Sequence, residues 1–263
     1  MYIYAEMKKM RYRKIRPLLL LGIWVLTGAC LQAPRLSRTE VSGVRLDSTV
    51  KADPSIDALI APYKSSLEKE MNEILVYSES EAVKGQPEGK LGNLVADLSL
   101  NATNRYLKES GKTPADICML NNGGLRTSLP AGAISRGKIF ELMPFENMIV
   151  VLTLSGEQMK NLLTYIGRSK GVPVAGLRMK IDSEGNAKEV FVGGSLFDEN
   201  RNYRVATSDY LAGGGDKMGF FKNPIGYEIS GRKLRDALIE EMVMTQQQGR
   251  KLEPMLDKRI SNE

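Results

Sequence analysis

Two glycine-rich turns, each directly after a short apolar segment, constrain this chain most. The first turn opens the stretch Asn121–Asn147 and follows Ile117–Leu120, and the second opens Ser208–Gly219 and follows Tyr203–Thr207. Apolar runs of this length are typical of buried strands. Glycine permits a positive φ angle or lets a ligand come close to the main chain. The pattern therefore predicts two strands whose following loops can carry a binding site.

Charged and aromatic side chains accompany both turns. Arg126 and Phe145 lie in the first stretch, and Tyr210 and Asp216 lie in the second. An arginine offers a two-pronged donor to a phosphate, aromatic rings offer flat faces to a base, and a carboxylate accepts hydrogen bonds from ribose hydroxyls. This combination favours a nucleotide as the ligand.

Three ordered motifs carry a family resemblance. Asn121–Arg126 reads N-x-G-G-L-R, Pro144–Asn147 reads P-F-x-N, and Asp209–Asp216 reads D-Y-x-x-x-G-G-D. With these motifs the chain resembles the C-terminal, substrate-binding domain of the bacterial and animal 5′-nucleotidases, the UDP-sugar hydrolase and ecto-5′-nucleotidase family. The likeness covers roughly Leu91–Leu238. It implies a single compact α+β domain with a mixed sheet and packed helices.

The resemblance also assigns roles to individual residues. It implies that Arg126 contacts phosphate, that Phe145 and Tyr210 sandwich the base, and that Asp216 accepts from the ribose. The full set of expected substrate-binding residues is Asn121, Gly123, Gly124, Arg126, Phe145, Asn147, Tyr210, Gly214 and Asp216.

Each assignment has a structural alternative. Arg126 could form an ordinary salt bridge, and Phe145 could pack in the core. Asn121 and Asn147 could be local turn formers, since asparagine side chains bond nearby backbone. Asp216 could close the glycine loop as an Asx-turn.

One segment departs from the family pattern. Relatives usually carry a phosphate-binding arginine just upstream of the helix that begins near Leu91, where this chain has Gly85–Glu88 with Lys84 and Lys90 on either side. Either a lysine replaces the arginine as a point charge, or the phosphate is held more weakly and the ligand is closer to a nucleoside.

The chain contains no histidine. Catalytic domains of this family resemble dinuclear metallophosphatases, which take several histidines as metal ligands, and histidine is also the commonest general acid or base. We therefore expect no catalytic residue, metal ligand or cofactor in this chain. Divalent metals are expected on a separate metallophosphatase chain. P-loop and Rossmann sites are excluded, because neither glycine cluster has their spacing.

The N-terminus has the pattern of an exported lipoprotein. Of the net charge of +6, the first sixteen residues supply +5, so no broad basic surface for a nucleic-acid polymer remains. An apolar run of 13 residues, Pro17–Ala29, follows and ends just before Cys30. Residues 1–29 are predicted to be a signal peptide, with Cys30 lipidated and the protein anchored in a bacterial cell envelope. An ordinary cleaved signal is the alternative.

The remaining segments complete the predicted organisation. Residues 31–54 are expected to be a tether, residues 55–248 the domain, and residues 249–263 a loose charged tail. Gly231–Gln247 is predicted to be the final helix, and Met148–Ser155 a strand covered on both faces. Cys118 is expected to pack in the core.

Overall fold

A computed structural model describes residues 38–43, 47, 50–51 and 53–263. It divides the chain into the units Met1–Asp53 and Pro54–Glu263. The predicted signal peptide and Cys30 lie outside the described residues. In the described part of the first unit there is no helix or strand. None of the described helices combines the length and the apolar character needed to cross a bilayer.

The second unit mixes helices and strands. In chain order its main elements are α1 (Pro54–Met71), β1 (Ile74–Ser78), α2 (Lys90–Glu109), β2 (Ile117–Met119), β3 (Gly132–Ser135), α3 (Arg136–Leu142), β4 (Met148–Leu154), α4 (Gly156–Arg168), β5 (Val174–Ala175), β6 (Leu177–Ile181), β7 (Ala187–Val192), β8 (Ser195–Leu196), β9 (Tyr203–Ser208), α5 (Asp209–Ala212), β10 (Gly226–Lys233), α6 (Leu234–Gln247) and β11 (Ile260–Asn262). The α+β class predicted from the sequence is confirmed.

A five-stranded sheet with the order β10–β4–β9–β2–β5 forms the centre of the fold. Strand β9 pairs in parallel with β2, with Val205 opposite Ile117. On its other side β9 pairs antiparallel with β4, with Ser208 opposite Ile149. The carboxyl ends of β2 and β9 therefore lie at the same edge of the sheet as the amino end of β4.

Both faces of this sheet are covered. In β4, Ile149 and Val151 belong to a buried cluster that includes residues of α2 and α6. Val150 and Leu152 alternate with them and belong to a second cluster that includes residues of α4. The prediction that Met148–Ser155 is a strand buried on both faces is confirmed, and its near-continuous apolar sequence follows from that position.

Cys118 packs in the first of these clusters with 1% of its surface exposed. Burial raises the pKa of its thiol, because the charged thiolate is poorly solvated there. The predicted core role of this cysteine is confirmed.

Helix α4 begins at a capping box. The Ser155 hydroxyl accepts from the Gln158 backbone N–H, and the Gln158 side-chain oxygen accepts from the Ser155 N–H. These two bonds satisfy donors that a helix start would otherwise leave unpaired. The Gln158 amide nitrogen also donates to the carbonyls of Lys222 and Asn223. The start of α4 thus fixes the segment that follows the second glycine loop.

The expectation of a loose tail at residues 249–263 is wrong. Strand β11 joins a four-stranded sheet by pairing in parallel with β6. Arg259, only 7% exposed, binds the carboxylates of Asp97 and Asp257 and the carbonyl of Val174. One of the charges in this segment, Arg259, is thus buried and joins the segment to the body of the domain, which composition does not reveal.

The predicted bounds of the last helix also need correction. Helix α6 begins at Leu234, and the three preceding residues that were assigned to it, Gly231–Lys233, belong to β10. Gly231 has a positive φ of 73°, and the pairing of β10 with β4 shifts register between Ile229 and Lys233. This irregular end of an edge strand lacks the clean alternation that would have identified it.

Candidate functional site

The three sequence motifs meet at one edge of the central sheet. The N-x-G-G-L-R turn leaves the carboxyl end of β2, and the D-Y-x-x-x-G-G-D loop leaves the carboxyl end of β9. The P-F-x-N segment leads into the amino end of β4, whose Ile149 lies opposite Ser208. Parallel pairing of β2 with β9 and antiparallel pairing of β9 with β4 together produce this convergence.

Asp216 links the two glycine turns. Its Oδ2 accepts from Asn121 Nδ2 at 2.6 Å, and its Oδ1 accepts from the Tyr210 hydroxyl at 2.9 Å. Gly123 lies close by, since a Cβ atom at that position would be 3.7 Å from Asp216 Oδ2. The carboxylate therefore fixes both the first turn and the ring of Tyr210.

The second loop has a backbone shape that its sequence explains. Gly214 has a φ of 91°, and Asp216 has a φ of 50°, a region that aspartate tolerates better than most residues. A Cβ atom on Gly215 would lie 2.5 Å from atoms of the Tyr210 ring. A side chain there would collide with the ring, so glycine lets Tyr210 pack against the loop while half of the residue stays exposed.

Asp216 changes the pKa of the Tyr210 phenol. The hydrogen bond to Asp216 raises the pKa of this phenol, and the negative charge of the carboxylate adds to the effect. Both favour the neutral hydroxyl over the phenolate. Tyr210 therefore presents an uncharged aromatic ring held by its hydroxyl.

Arg126 carries an exposed guanidinium group. Its Nη1 donates to the Gly123 carbonyl at 3.3 Å, and its backbone N–H donates to the Leu142 carbonyl at 2.8 Å. Among the described residues it forms no ion pair. The salt-bridge alternative for Arg126 has no partner in this part of the chain, and its positive charge is open to an anionic ligand.

Phe145 is 42% exposed and does not pack in the core. The neighbouring Asn147 accepts the Leu234 backbone N–H through its own carbonyl at 2.8 Å. Hydrogen bonds from Lys233 and then Arg235 hold the pKa of Glu146 below its ordinary value. The loop is thus tied to the first turn of α6, while the Phe145 ring projects from it.

Sequence reasoning missed three contributors to this edge. The Tyr165 hydroxyl donates to the Asp216 carbonyl, and Gln158 holds the segment after the glycine loop. The stem of Lys222 lies against Gly214, since a Cβ atom there would be 2.6 Å from Lys222 Cε. These residues belong to none of the three motifs, so only the folded arrangement identifies them.

Within the described part of the chain, the two lysines considered as replacements for the missing arginine, Lys84 and Lys90, make no hydrogen bond to a candidate site residue. Lys84 is exposed, and Lys90 donates to the Ser80 hydroxyl at 3.3 Å. Gln86, within the departing segment, donates to the Ser169 carbonyl. None of these hydrogen bonds joins a member of the candidate site.

The candidate site does not coincide with two of the larger cavities of the described structure. Cavities of about 470 and 650 Å³ are lined by none of the predicted site residues. In the described part of the chain, no group of three or more cysteine or acidic side chains is placed to hold a metal ion. The exposed rings and the exposed guanidinium group at this edge suit an aromatic, anionic ligand.

We expect Asp216→Asn to lower the pKa of the Tyr210 phenol, because the substitution removes the charged acceptor that favours the neutral hydroxyl. The pKa is measured by an NMR titration of ring-labelled tyrosine, with the Tyr210 signal identified from Tyr210→Phe. Asp209→Asn is the matched control, since Asp209 Oδ1 accepts from the Tyr210 backbone N–H and not from the phenol. An unchanged pKa in Asp216→Asn would contradict this coupling.

The amino-acid sequence of this chain is similar to those of known nucleotidases and nucleotide phosphoesterases. The 5′-nucleotidase from Vibrio vulnificus is 24% identical over 212 residues, which cover 74% of this chain and 36% of the relative. The trifunctional nucleotide phosphoesterase protein YfkN from Bacillus subtilis is 26% identical over 250 residues, 85% of this chain and 16% of the relative. The chain thus spans a minor part of these relatives.

A solved structure shows the same fold. The 5′-nucleotidase precursor from Thermus thermophilus superimposes with a TM-score of 0.64 at 23% identity, covering 79% of this chain and 43% of that one. A family model described as "5'-nucleotidase, C-terminal domain" matches residues 70–223, more than half of the chain. The chain belongs to the 5′-nucleotidase family through this C-terminal domain.

Proposed function

We propose that this chain is the nucleotide-binding half of an exported 5′-nucleotidase-type phosphohydrolase of nucleotide catabolism, and that a separate metallophosphatase chain supplies the metal centre. The observation that carries the proposal is that the three motifs meet at one edge of the sheet, where Asp216 joins two of them, in a chain without histidine. In this proposal the side chains at that edge bind the substrate, and the partner chain supplies the histidines that a dinuclear metal centre usually needs.

The arrangement of the edge suits the parts of a nucleotide. Arg126 is exposed and free of ion pairs among the described residues, so it is available to phosphate. Phe145 and Tyr210 are 42% and 50% exposed and can stack on a base. Asp216 accepts two hydrogen bonds in the structure, and an ionised carboxylate has about four acceptor positions. It therefore retains capacity for ribose hydroxyls.

The remaining site residues shape the first turn. Asn121 is oriented by its bond to Asp216, and a Cβ atom on Gly124 would be 2.8 Å from Asn121 Oδ1. Glycine at this position keeps the turn tight around the asparagine. We infer that Asn121 and Asn147 border the base, with Gly123, Gly124 and Gly214 giving it access to the backbone.

Binding without hydrolysis has a defined place in such an enzyme. Contacts to the base and ribose do not take part in bond breaking, but they position the phosphate at a remote reacting centre. In this proposal the chain binds and orients the nucleotide, and the partner chain holds the metals and the attacking water.

Calorimetric titration of the full chain in detergent with AMP and adenosine tests the site. We expect Arg126→Ala to weaken AMP by about 1.5–3 kcal/mol, as expected for hydrogen bonds to a charged group, and to leave adenosine unchanged. Tyr210→Ala should weaken both ligands by about 1–3 kcal/mol through lost stacking. Arg250→Ala, which changes an exposed arginine outside the site, is the control. Binding of neither ligand by the parent protein would contradict the proposal.

The second candidate is a non-catalytic lipoprotein that captures nucleosides or nucleotides at the envelope. The departure at Gly85–Glu88 favours it, because the hydrogen bonds of Gln86 and Lys90 join neither residue to the site. In the same titration, equal affinity for adenosine and AMP with no effect of Arg126→Ala would favour this function over the split enzyme.

Helix α1 offers a surface for the proposed partner chain. Its apolar stripe, which we define as Ile56, Leu59, Ile60, Tyr63 and Leu67, is 44–77% exposed. No residue of α1 is buried. Helices in proteins gain most of their stability from packing an apolar face against a neighbour. The stripe therefore needs an occupant.

The metallophosphatase chain fits this stripe better than a lipid surface does. The match to the C-terminal domain model begins at residue 70, so helix α1 lies on the N-terminal side of the matched domain, and this chain covers only 36% of a longer relative. Its ionisable side chains are two lysines and three acidic residues, whereas helices that lie on membranes carry an excess of basic residues on the polar face.

We expect Leu59→Asp combined with Tyr63→Asp to abolish phosphate release from AMP by the protein purified gently, with its attached proteins, in the presence of Mn²⁺. Ser65→Asp, on the opposite side of α1, is the control and should retain activity. Equal release by the stripe variant would contradict this docking surface. No release by the parent preparation would contradict the split enzyme.

We further propose that the protein is exported and anchored through Cys30. The support is sequence alone: basic residues, the run Pro17–Ala29, and small residues directly before the cysteine. Mass spectrometry of the protein from envelope fractions is expected to show a chain that begins at lipid-modified Cys30. A mature chain that begins elsewhere, with Cys30 removed or unmodified, would contradict the anchor and support an ordinary cleaved signal.

A further inference from the structure

The first turn of α6 grips the loop that carries Phe145. The Arg235 fork reaches three groups of that loop: its Nη1 lies 3.5 Å from the carbonyls of Met143 and Phe145, and its Nη2 donates to Glu146 Oε1 at 2.8 Å. Lys233 binds the other oxygen of Glu146. We call these contacts the α6 clamp.

Arg235 is buried, which is unusual for an arginine side chain. The residue is 5% exposed, and its guanidinium carbon lies 4.1 Å from the centre of the Phe140 ring. A charge removed from water is costly unless oxygen atoms or an aromatic face compensate for it. In this structure, loop oxygens and the Phe140 ring provide that compensation, so the charge and the loop conformation depend on each other.

The loop has a fixed backbone and an exposed ring. The carbonyl of Phe145 faces Arg235, and the carbonyl of Asn147 accepts from the Leu234 backbone N–H. The Phe145 ring nevertheless remains 42% exposed. A ring on an anchored backbone loses less conformational freedom when a ligand stacks on it than a ring on a mobile loop does.

We propose that Arg235 is a positioning residue for base recognition, which acts by holding Phe145 ready to stack on the base of the ligand. The inference rests on the proposed function, since it assigns the Phe145 ring to the base. Arg235 itself is covered by protein and works through the loop. Its effect is confined to ligands that have a base.

The test compares adenosine with ribose 5-phosphate, which lacks a base, by calorimetry on the full chain in detergent. We expect Arg235→Met to weaken adenosine about three- to tenfold, the cost of ordering one side chain on binding. Ribose 5-phosphate affinity should stay unchanged. Arg232→Met is the matched control, because Arg232 pairs with Glu240 and makes no hydrogen bond to the loop. A loss of affinity for both ligands would overturn the positioning role.

A double-mutant cycle with Phe145→Ala separates the two proposals. If Arg235 acts through Phe145, then Arg235→Met adds no further loss of adenosine affinity in the Phe145→Ala protein. If Phe145→Ala weakens adenosine and Arg235→Met does not, the inference fails while the proposed site stands. If Phe145→Ala has no effect on adenosine, the proposed base site itself fails.

Glu146→Gln provides a variant that leaves the buried charge in place. Glu146 is exposed, so its substitution loosens the clamp and spares the core even if Arg235→Met does not fold. We expect a selective loss of adenosine affinity, smaller than that of Arg235→Met, because glutamine keeps a side-chain oxygen that can accept from Arg235 Nη2. Unchanged adenosine affinity in Glu146→Gln together with a failure of Arg235→Met to fold would overturn the inference.

Discussion

The pairing of β9 with both of its neighbours is the constraint on which the candidate site depends. Strand β9 runs parallel to β2 and antiparallel to β4. This mixed arrangement brings two strand ends and one strand start to the same edge, and each of the three carries a binding motif. If β9 paired in parallel with β4, the P-F-x-N segment would lie at the opposite edge. The hydrogen bond between Asn121 and Asp216 joins the loops that follow β2 and β9 at this edge.

Charge is used differently in the core and at the site. Arg235 and Arg259 are buried, and each holds a distant segment by binding several of its oxygens. Arg126 is exposed and has no ion pair among the described residues. Arginines of the first kind maintain structure, because removing one partner leaves a buried charge uncompensated. Arg126 keeps the capacity to bind an anion from solution.

The sequence predicts the parts of the site better than their assembly. The glycine-rich turn after Ile117–Leu120 could be predicted from the sequence, because an apolar run is followed directly by glycines. The contact of Asn121 with Asp216 spans 95 residues, and only the parallel pairing of β2 with β9 creates it. The burial of Arg259 against Asp97 spans 162 residues. Composition alone made that segment look solvated, which explains the wrong expectation for residues 249–263.

Isotope-filtered NOE spectroscopy of the full chain with bound AMP tests most directly whether the base binds at the sheet edge where the three motifs meet. The proposed site predicts NOEs from the adenine H2 and H8 protons to ring protons of both Phe145 and Tyr210. NOEs from adenine to residues of the separate cavity around Arg178 and Phe191, with none to these two rings, would contradict it.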